Sequence, residues 1–247
     1  MFIEPKWPAP SCIKAFTTLR LGGVSQKPFD SFNLAKHVGD TAAHVKANRE
    51  HLQKKLCLPN EPIWLQQTHS TIALSATPNH REHEGDASFT HDMNQVCVVL
   101  TADCLPILLC NNEGTQVAAI HAGWRGLLNG IIESTLEAMG SPQNILVWLG
   151  PAIGPTHFEV GEEVREQFIA KDNEAAHAFI PSPNGRWLAN IYKLARLRFK
   201  KKNINEIYGG NYCTYSDPLS FYSYRRDGAR TGRQASLIWI SSTPTVK

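Results

Sequence analysis

The segment that decides the fold begins with the apolar run Val96-Cys97-Val98-Val99-Leu100-Thr101 and continues with Pro106-Ile107-Leu108-Leu109-Cys110. Short apolar runs rich in β-branched residues favour buried strands. Asn111-Asn112-Glu113-Gly114 comes next and predicts a hairpin turn, because asparagine and glycine tolerate turn backbone conformations. Thr115 to His121 is then the returning strand. The core of the protein is therefore predicted to be a sheet built around this hairpin.

Helical and strand patterns alternate along the rest of the chain. Asp40-Thr41 can cap a helix of about 15 residues whose buried side chains are Val45, Leu52 and Leu56. Further helices are predicted over 125–139, from Gly161-Glu162-Glu163 onward and over 187–202, and further strands over 13–19, 63–69, 145–149 and 236–240. No linker or internal repeat interrupts the pattern. We therefore predict one α/β domain with a mixed sheet, spanning 1–247.

Composition narrows the class of protein. The chain has 247 residues, of which 42% are hydrophobic and 19% charged, with a net charge of +3. These values predict a folded core and give no indication of a nucleic-acid partner. No apolar run is long enough for a membrane span, and Met1 to Pro10 lacks the apolar segment of a signal peptide. The six cysteines have no paired spacing, so a reducing cytoplasm is expected. The oligomeric state leaves no trace in the sequence.

Three potential metal ligands follow apolar runs. Cys104 follows the first strand of the deciding segment, His121 ends the returning strand, and His69 follows Ile63-Trp64-Leu65. One thiolate and two imidazoles are typical of a zinc or copper site with an open fourth position, which is the mark of a catalytic site. Two mechanisms remain open. A metal bound by all three could activate water, or His121 could deprotonate Cys104 for attack on an electrophile.

Candidate substrate-binding residues lie in three other segments. Arg125 stands at the start of a predicted helix, where backbone N–H groups and a guanidinium would suit phosphate. Arg225 and Arg226 lie in a tail that mixes arginine, tyrosine and glycine, and its side chains could stack on a purine. Each segment could instead be a turn with exposed arginines. Arg20 and Asn33 lie in a glycine-containing loop near the start of the chain and are further candidates for substrate binding. Asp86 is a candidate for substrate binding or proton transfer, and Asp103 is a candidate catalytic proton shuttle.

These residues belong to motifs that identify a family. The chain resembles the YfiH-like proteins, also called the laccase-domain or multicopper polyphenol oxidase family, over nearly its whole length. The motifs are Arg20 to Ser25 with Ser31 to Leu34, Asn48-Arg49, Gln67 to His69, Gly85 to Ala87, Thr101 to Pro106, His121 to Gly126, Gly150 to Gly154 and Tyr224 to Gly228.

The resemblance carries expectations for fold and chemistry. It implies a three-layer α/β/α architecture with mixed sheets, and a zinc or copper ion held by His69, Cys104 and His121. It also implies phosphorolysis of adenosine, inosine and methylthioadenosine, together with adenosine deamination. Some bacterial members of the family are instead described as peptidoglycan editing factors.

The family's laccase label can be tested on the residues. Multicopper oxidases bind several coppers with His-x-His pairs, and this chain contains no such pair. True laccase activity is therefore not expected. We predict a metal-dependent purine nucleoside phosphorylase whose partners are a purine nucleoside and phosphate, with accompanying deaminase activity. The alternative is a cysteine-dependent amidase or peptidase that edits misassembled peptidoglycan precursors. A third hypothesis is a non-catalytic metal or nucleotide sensor, which would bind inosine without turnover.

Overall fold

A computed structural model describes residues 1–242 of the chain. The strands are β1 (Phe2–Ile3), β2 (Ile13–Thr18), β3 (Ala73–Ser75), β4 (Ala87–Thr90), β5 (Cys97–Thr101), β6 (Leu105–Asn111), β7 (Val117–Ala122), β8 (Ile145–Leu149), β9 (Glu159–Val160), β10 (Phe179–Ser182), β11 (Arg186–Ala189), β12 (Ile207–Gly209) and β13 (Gln234–Ile240). The helices are α1 (Ala42–Lys55), α2 (Trp124–Asn129), α3 (Ile131–Ala138), α4 (Glu162–Lys171), α5 (Ile191–Lys201) and α6 (Tyr224–Asp227). The single-domain span 1–247 stays a prediction, and its residues 243–247 lie outside the described part.

The strands form three sheets. The six-stranded sheet has the order β12-β8-β6-β7-β4-β3 and is mixed, with parallel pairs at both edges and antiparallel pairs between them. The four-stranded sheet, β1-β2-β13-β5, and a small three-stranded sheet, β10-β11-β9, are antiparallel. The expected α/β class with mixed sheets is confirmed.

Two of the sheets stack between outer helices, so the β layer of the expected α/β/α order is double. Successive side chains of a strand point to opposite faces of its sheet, so alternate residues lie between the two stacked sheets and the others face the helices. Leu108 and Cys110 of β6 pack with Cys97 and Val99 of β5 between the two sheets. The opposite face of the six-stranded sheet packs against residues of α2 to α5, and the opposite face of the four-stranded sheet packs against Leu52 of α1.

The deciding segment forms the predicted strands and turn. β6 and β7 pair antiparallel, with Leu105 opposite Ala122 and Cys110 opposite Val117. Asn111 closes the turn, because its side-chain oxygen accepts hydrogen bonds from the backbone N–H groups that follow the turn. Gly114 has a φ of 70°, a left-handed conformation that favours glycine.

Two of the predicted helices have different bounds in the structure. The helix predicted over 125–139 is divided in two by Gly130, whose φ of 104° ends α2 before α3 begins. The helix predicted over 187–202 begins only at Ile191, because residues 186–189 form β11. Asn190 accounts for the boundary, since its side chain accepts a hydrogen bond from the Lys193 N–H as an N-cap.

The strand predicted over 63–69 is wrong. Only isolated bridges form there, at Ile63 and Gln66, and the segment ends in an irregular loop. Polar side chains explain the difference. The Gln67 amide bonds both the N–H and the carbonyl of Leu100, and Asp86 bonds the backbone of the residues that follow. These contacts satisfy backbone groups without a continuous ladder.

None of the helices within residues 1–242 combines the length and the apolar character needed to cross a bilayer.

Candidate active site

The three predicted metal ligands meet where the chain crosses from one stacked sheet to the other. Cys104 lies in the connection between β5 and β6, and His121 lies near the end of β7. His121 has the same parity along β7 as Val117 and Ala119, whose side chains lie between the sheets. His69 enters from the loop before β3, with a φ of 63°. The ligand atoms of the three side chains all lie within 4.8 Å of one another.

The spacing and chemistry of the three side chains fit a metal ion. Zinc bonds of about 2.0–2.3 Å in a tetrahedron place ligand atoms about 3.3–3.8 Å apart. Cys104 Sγ lies 3.6 Å from His69 Nε2, and the His69 and His121 rings are 4.8 Å apart between centroids. A sulfur and two imidazole nitrogens suit zinc and copper better than hard cations such as Mg²⁺. Three protein ligands leave the fourth position open for substrate or water.

Gly123 leaves room for these ligands. A Cβ atom at this position would overlap the His69 ring and lie 3.0 Å from His69 Nε2 and 3.2 Å from Cys104 Sγ. The Gly123 backbone has φ −65° and ψ 162°, an extended conformation open to any residue. The need for glycine is therefore steric, and the space that a methyl group would fill is the space between two of the predicted metal ligands.

Asp86 orients two of the ligands from behind. It is fully buried, and one of its oxygens accepts a 2.7 Å hydrogen bond from His121 Nδ1, which leaves Nε2 as the ligand atom. The same carboxylate accepts hydrogen bonds from the backbone N–H groups of Thr68, His69 and Ser70. This explains how His69 is held in its left-handed conformation. The structure thus corrects the expectation that Asp86 binds substrate, because its oxygens are used inside the protein.

The site stabilises an ionised sulfur. Burial raises the pKa of Cys104, but the charge and hydrogen bonds of His121 and His69 outweigh burial and lower that pKa to about 6. Burial lowers the pKa of His121, but the Cys104 thiolate and Asp86 outweigh it and raise that pKa to about 9. Burial acts against ionisation of Asp86 too, yet its bonds to His121 and Ser70 lower its pKa to about 2. A thiolate at neutral pH is the form that binds metals and attacks electrophiles.

The ligands open into a cavity of about 440 Å³. This volume is in the range of small-molecule sites. Its apolar and aromatic lining includes Trp124, Ile153, Phe158 and Tyr224. Its cationic lining comes from three arginines, Arg125, Arg225 and Arg233. The cavity thus combines surfaces for a planar apolar group and for an anion beside the candidate metal centre.

Two of the predicted arginines line this cavity. Arg125 is exposed and lies over the Trp124 ring, with its guanidinium carbon 4.2 Å from the ring centroid. Arg225 is also exposed, and it donates a 3.0 Å hydrogen bond to the Glu159 carbonyl. Both guanidinium groups therefore keep donors for a ligand. The helix behind Arg125, α2, has only six residues, so the charge for an anion comes from the side chains.

Asp103 lines the cavity but its carboxylate is already engaged. One oxygen accepts a hydrogen bond of 2.6 Å from the Thr214 hydroxyl, and the other accepts one of 2.6 Å from the Arg225 N–H. Its φ of 88° is unusual for aspartate. These contacts describe a residue that joins the Cys104 loop to the arginine tail. The predicted role as proton shuttle would require these bonds to break.

The other predicted substrate residues hold loops together and do not line the cavity. Arg20 bonds the carbonyls of Asp30 and Pro218. Asn33 is fully buried and accepts a hydrogen bond from the Arg233 N–H. Arg226 donates to the carbonyls of Thr214, Tyr215 and Phe221 and pairs with Asp227. The structure corrects all three expectations, because these donors and acceptors already have protein partners.

Sequence reasoning missed several cavity residues. Arg233 is half-buried in the cavity wall, and burial lowers the pKa of its guanidinium. His37 lines the same cavity from an exposed position, and partial burial followed by the charge of Arg233 lowers its pKa. The tail's arginine-rich composition was the available signal for Arg233. No signal in the sequence pointed to His37, because its position in the cavity wall depends on how its loop folds back onto the site.

Comparisons with known proteins agree with this geometry. The profile of a family described as multi-copper polyphenol oxidoreductase laccase matches residues 14–241. A Pseudomonas aeruginosa protein named purine nucleoside phosphorylase is 50% identical over 242 residues, covering 97% of this chain and 98% of its own. Purine nucleoside phosphorylase YfiH of Escherichia coli strain K12 is 49% identical, covering 96% and 98%.

Solved structures share the fold. The crystal structure of a Neisseria meningitidis protein superposes with a TM-score of 0.93 at 45% identity, covering 98% of this chain and 99% of that one. The crystal structure of YlmD from Geobacillus stearothermophilus gives a TM-score of 0.88 at 27% identity, covering 95% and 94%. The likeness therefore extends over nearly the whole chain.

Proposed function

The chain belongs to the multi-copper polyphenol oxidoreductase laccase family, and from its similarity to relatives named purine nucleoside phosphorylase we propose that it is a metal-dependent enzyme of that kind. It cleaves adenosine, inosine and methylthioadenosine with phosphate, giving the free base and ribose 1-phosphate, and it also deaminates adenosine. Relatives at about half identity over nearly their full length carry the phosphorylase name. The proposed cofactor is zinc or copper. A cytoplasmic location is part of the proposal, and the six free cysteines support it.

One observation carries the proposal: the His69-Cys104-His121 cluster opens into a cavity that also presents three arginines. Phosphorolysis forms a bond between a phosphate oxygen and C1′ of the sugar while the bond from C1′ to the base breaks. A site for this reaction must therefore hold an anion and a neutral planar group side by side. Oxidation of phenols by several coppers would need more metal ligands than this single three-residue cluster offers.

The residues divide the work in the following way. Arg125, Arg225 and Arg233 bind phosphate, since guanidinium groups suit phosphate oxygens in charge and geometry. Phe158 and Tyr224 pack against the base and restrict water. A zinc or copper ion held by His69, Cys104 and His121 would supply a Lewis acid at its open position. Asp86 keeps the proton on Nδ1 of His121, so that Nε2 stays free for the metal.

The direct test is product analysis by mass spectrometry on metal-quantified protein. Each of the three nucleosides is incubated with and without phosphate. We expect free base and ribose 1-phosphate only with phosphate, and loss of both products in Cys104→Ala. Cys57→Ala is the matched control, because Cys57 is exposed and lies outside the cavity. Nucleosides recovered unchanged from protein that holds one metal per chain would overturn the proposal.

The arginine assignment has its own test. Arg125→Ala should raise the KM for phosphate while the metal content stays at the wild-type value, because Arg125 lines the cavity but is not a metal ligand. An unchanged dependence on phosphate would contradict that assignment.

A second function, cysteine-dependent cleavage of an amide in cell-wall precursors, is favoured by one observation. Cys104 has a pKa lowered to about 6 and lies 3.6 Å from an imidazole nitrogen, as an activated nucleophile does. The two functions respond oppositely to chelation. Removing the metal abolishes the phosphorylase and leaves a cysteine nucleophile active and open to alkylation at Cys104.

A further inference from the structure

A second cavity, of about 400 Å³, shares no lining residue with the candidate active site. Cys213 lines it, together with Gly154 and Thr156. The cysteine is half-buried, so a small molecule can reach its sulfur. The proposed phosphorolysis uses none of these three residues.

The sulfur of Cys213 accepts hydrogen bonds from several donors. The Gly154 N–H lies 3.2 Å from Sγ and the Ser216 hydroxyl lies 3.3 Å from it. His157 Nδ1 lies 3.8 Å from the same sulfur and closer to the hydroxyls of Thr156 and Ser216, at 2.9 and 3.3 Å, and its ring stacks on Tyr215 with centroids 4.3 Å apart. Donors that converge on a sulfur stabilise the thiolate and any oxygen anion later formed there. A nucleophile, a fixed imidazole and backbone donors together make up a reactive-thiol environment.

The other cysteines outside the metal centre have different surroundings. Cys97 and Cys110 are buried among apolar groups, and burial raises the pKa of each thiol to about 12. The Cys57 and Cys12 thiols lie against backbone carbonyls, as hydrogen-bond donors. Burial raises the pKa of Cys213 as well, but the Ser216 and Gly154 donors outweigh it and hold that pKa below its ordinary value.

The segment that holds Cys213 is tied to the candidate active site. The next residue, Thr214, is fully buried and donates its hydroxyl hydrogen to Asp103 at 2.6 Å. Asp103 in turn precedes the metal ligand Cys104 and accepts the N–H of Arg225. A Cβ atom built on Gly154 would lie 2.9 Å from the Cys213 sulfur, so the Gly154 N–H and the Ser216 hydroxyl would have to shift to accommodate an oxygen added there. Displacing this segment would disturb Asp103.

We propose that Cys213 is a modification site at which hydroperoxides form a sulfenic acid, and that this modification lowers turnover at the candidate active site through Thr214 and Asp103. The thiolate sulfur attacks one peroxide oxygen, so that an S–O bond forms and the O–O bond breaks. The sulfur is oxidised by two electrons and the peroxide is reduced. The second oxygen takes the electron pair and a proton and leaves as water or an alcohol. His157 is the nearest imidazole able to pass on that proton.

The test treats metal-loaded protein with hydrogen peroxide below one equivalent, traps sulfenic acids with dimedone and quantifies each cysteine by peptide mass spectrometry. Cys213 should label faster than Cys57, although Cys57 is the more exposed thiol. Labelling of Cys57 at the same rate or faster would overturn the proposal. This comparison is made within the wild-type chain, so it does not depend on the folding of a variant.

Two variants test the contribution of His157 to the surroundings of the Cys213 sulfur. His157→Gln should slow labelling of Cys213 by about tenfold, the effect expected of one hydrogen bond to a charged group. His91→Gln is the matched control, since His91 is an exposed histidine outside the second cavity and should leave the rate unchanged. Equal rates in both variants would contradict the role of His157.

The effect on turnover rests on the proposed phosphorolysis and is measured separately. Peroxide should inactivate the wild type faster than Cys213→Ser, and equal inactivation rates would refute the coupling. If untreated protein has no phosphorolysis, the proposed function fails while the labelling result still decides whether Cys213 is the modification site.

Discussion

Replacing Gly123 with alanine would place a methyl group between two of the proposed metal ligands. The new Cβ atom would overlap the His69 ring and lie 3.2 Å from Cys104 Sγ. The backbone conformation of Gly123 is allowed for alanine, so no backbone strain is added. The substitution therefore acts on the space inside the site.

The size of the effect follows from bond-length tolerance. Relieving the overlap requires His69 to move by about 1 Å, whereas a metal–ligand bond tolerates about 0.2 Å. Loss of a hydrogen bond that orients a metal ligand already weakens metal binding by about 10–100-fold. Displacing a ligand should exceed that, so we expect zinc affinity to fall by at least about 100-fold, or about 2.7 kcal/mol. Phosphorolysis should fall in parallel.

Zinc affinity is measured by competition with a chromophoric chelator, and folding by circular dichroism and thermal unfolding. Gly161→Ala is the matched control. Gly161 is also an extended N-cap glycine, but the Cβ added there meets only the exposed, flexible side chain of Glu163. The two variants share the loss of about 1 kcal/mol that alanine causes at an N-cap. Wild-type zinc affinity in Gly123→Ala would refute the arrangement of ligands described above.

Three further predictions follow from the site. Asp86→Asn should lower the free energy of unfolding by about 3–5 kcal/mol, because it breaks a buried ion pair with His121. It should also lower metal affinity by about 10–100-fold, because it frees the His121 ring. Unchanged thermal unfolding and zinc binding would contradict this prediction. In metal-free protein the ultraviolet absorbance of the Cys104 thiolate should persist as pH falls from 9 and be lost as pH falls through about 6, because the pKa of Cys104 in the folded protein lies below its ordinary value. Cys104→Ser gives the background absorbance to subtract. A titration midpoint near pH 9 would contradict the prediction. Arg226→Ala should lower the free energy of unfolding by about 1–3 kcal/mol, because it leaves buried carbonyls unpaired. The KM for phosphate should stay unchanged. A raised KM for phosphate in a stable variant would show instead that Arg226 binds substrate.

Local patterns in the sequence predicted the hairpin and the clustering of His69, Cys104 and His121. The β6–β7 turn depends on residues close together in the chain, and its asparagine and glycine are visible in the sequence. Cys104 and His121 lie at the ends of strands that pair with each other, so their approach follows from that pairing. His69 joins this cluster as expected, but the strand predicted for its segment is wrong.

Long-range contacts account for what the sequence did not reveal. Arg20 and Arg226 are residue types that bind anions, but protein groups already occupy their donors. The distant Pro218 carbonyl accepts from Arg20, and the Thr214 carbonyl, twelve residues away, accepts from Arg226. Asp86 resembled a substrate ligand until its burial behind His121 was known. His37 lines the cavity because its loop folds back onto the site, which no periodicity predicts.

The central claim is that this metal centre and its arginines transfer a sugar from a purine to phosphate. Reacting adenosine with phosphate in oxygen-18 water, followed by mass spectrometry of every product, tests it most directly. Phosphorolysis predicts ribose 1-phosphate with no oxygen-18 and no free ribose, whereas deamination places one oxygen-18 atom on the base. Free ribose formed in place of ribose 1-phosphate would mean that water is the nucleophile at the sugar, and would contradict the account.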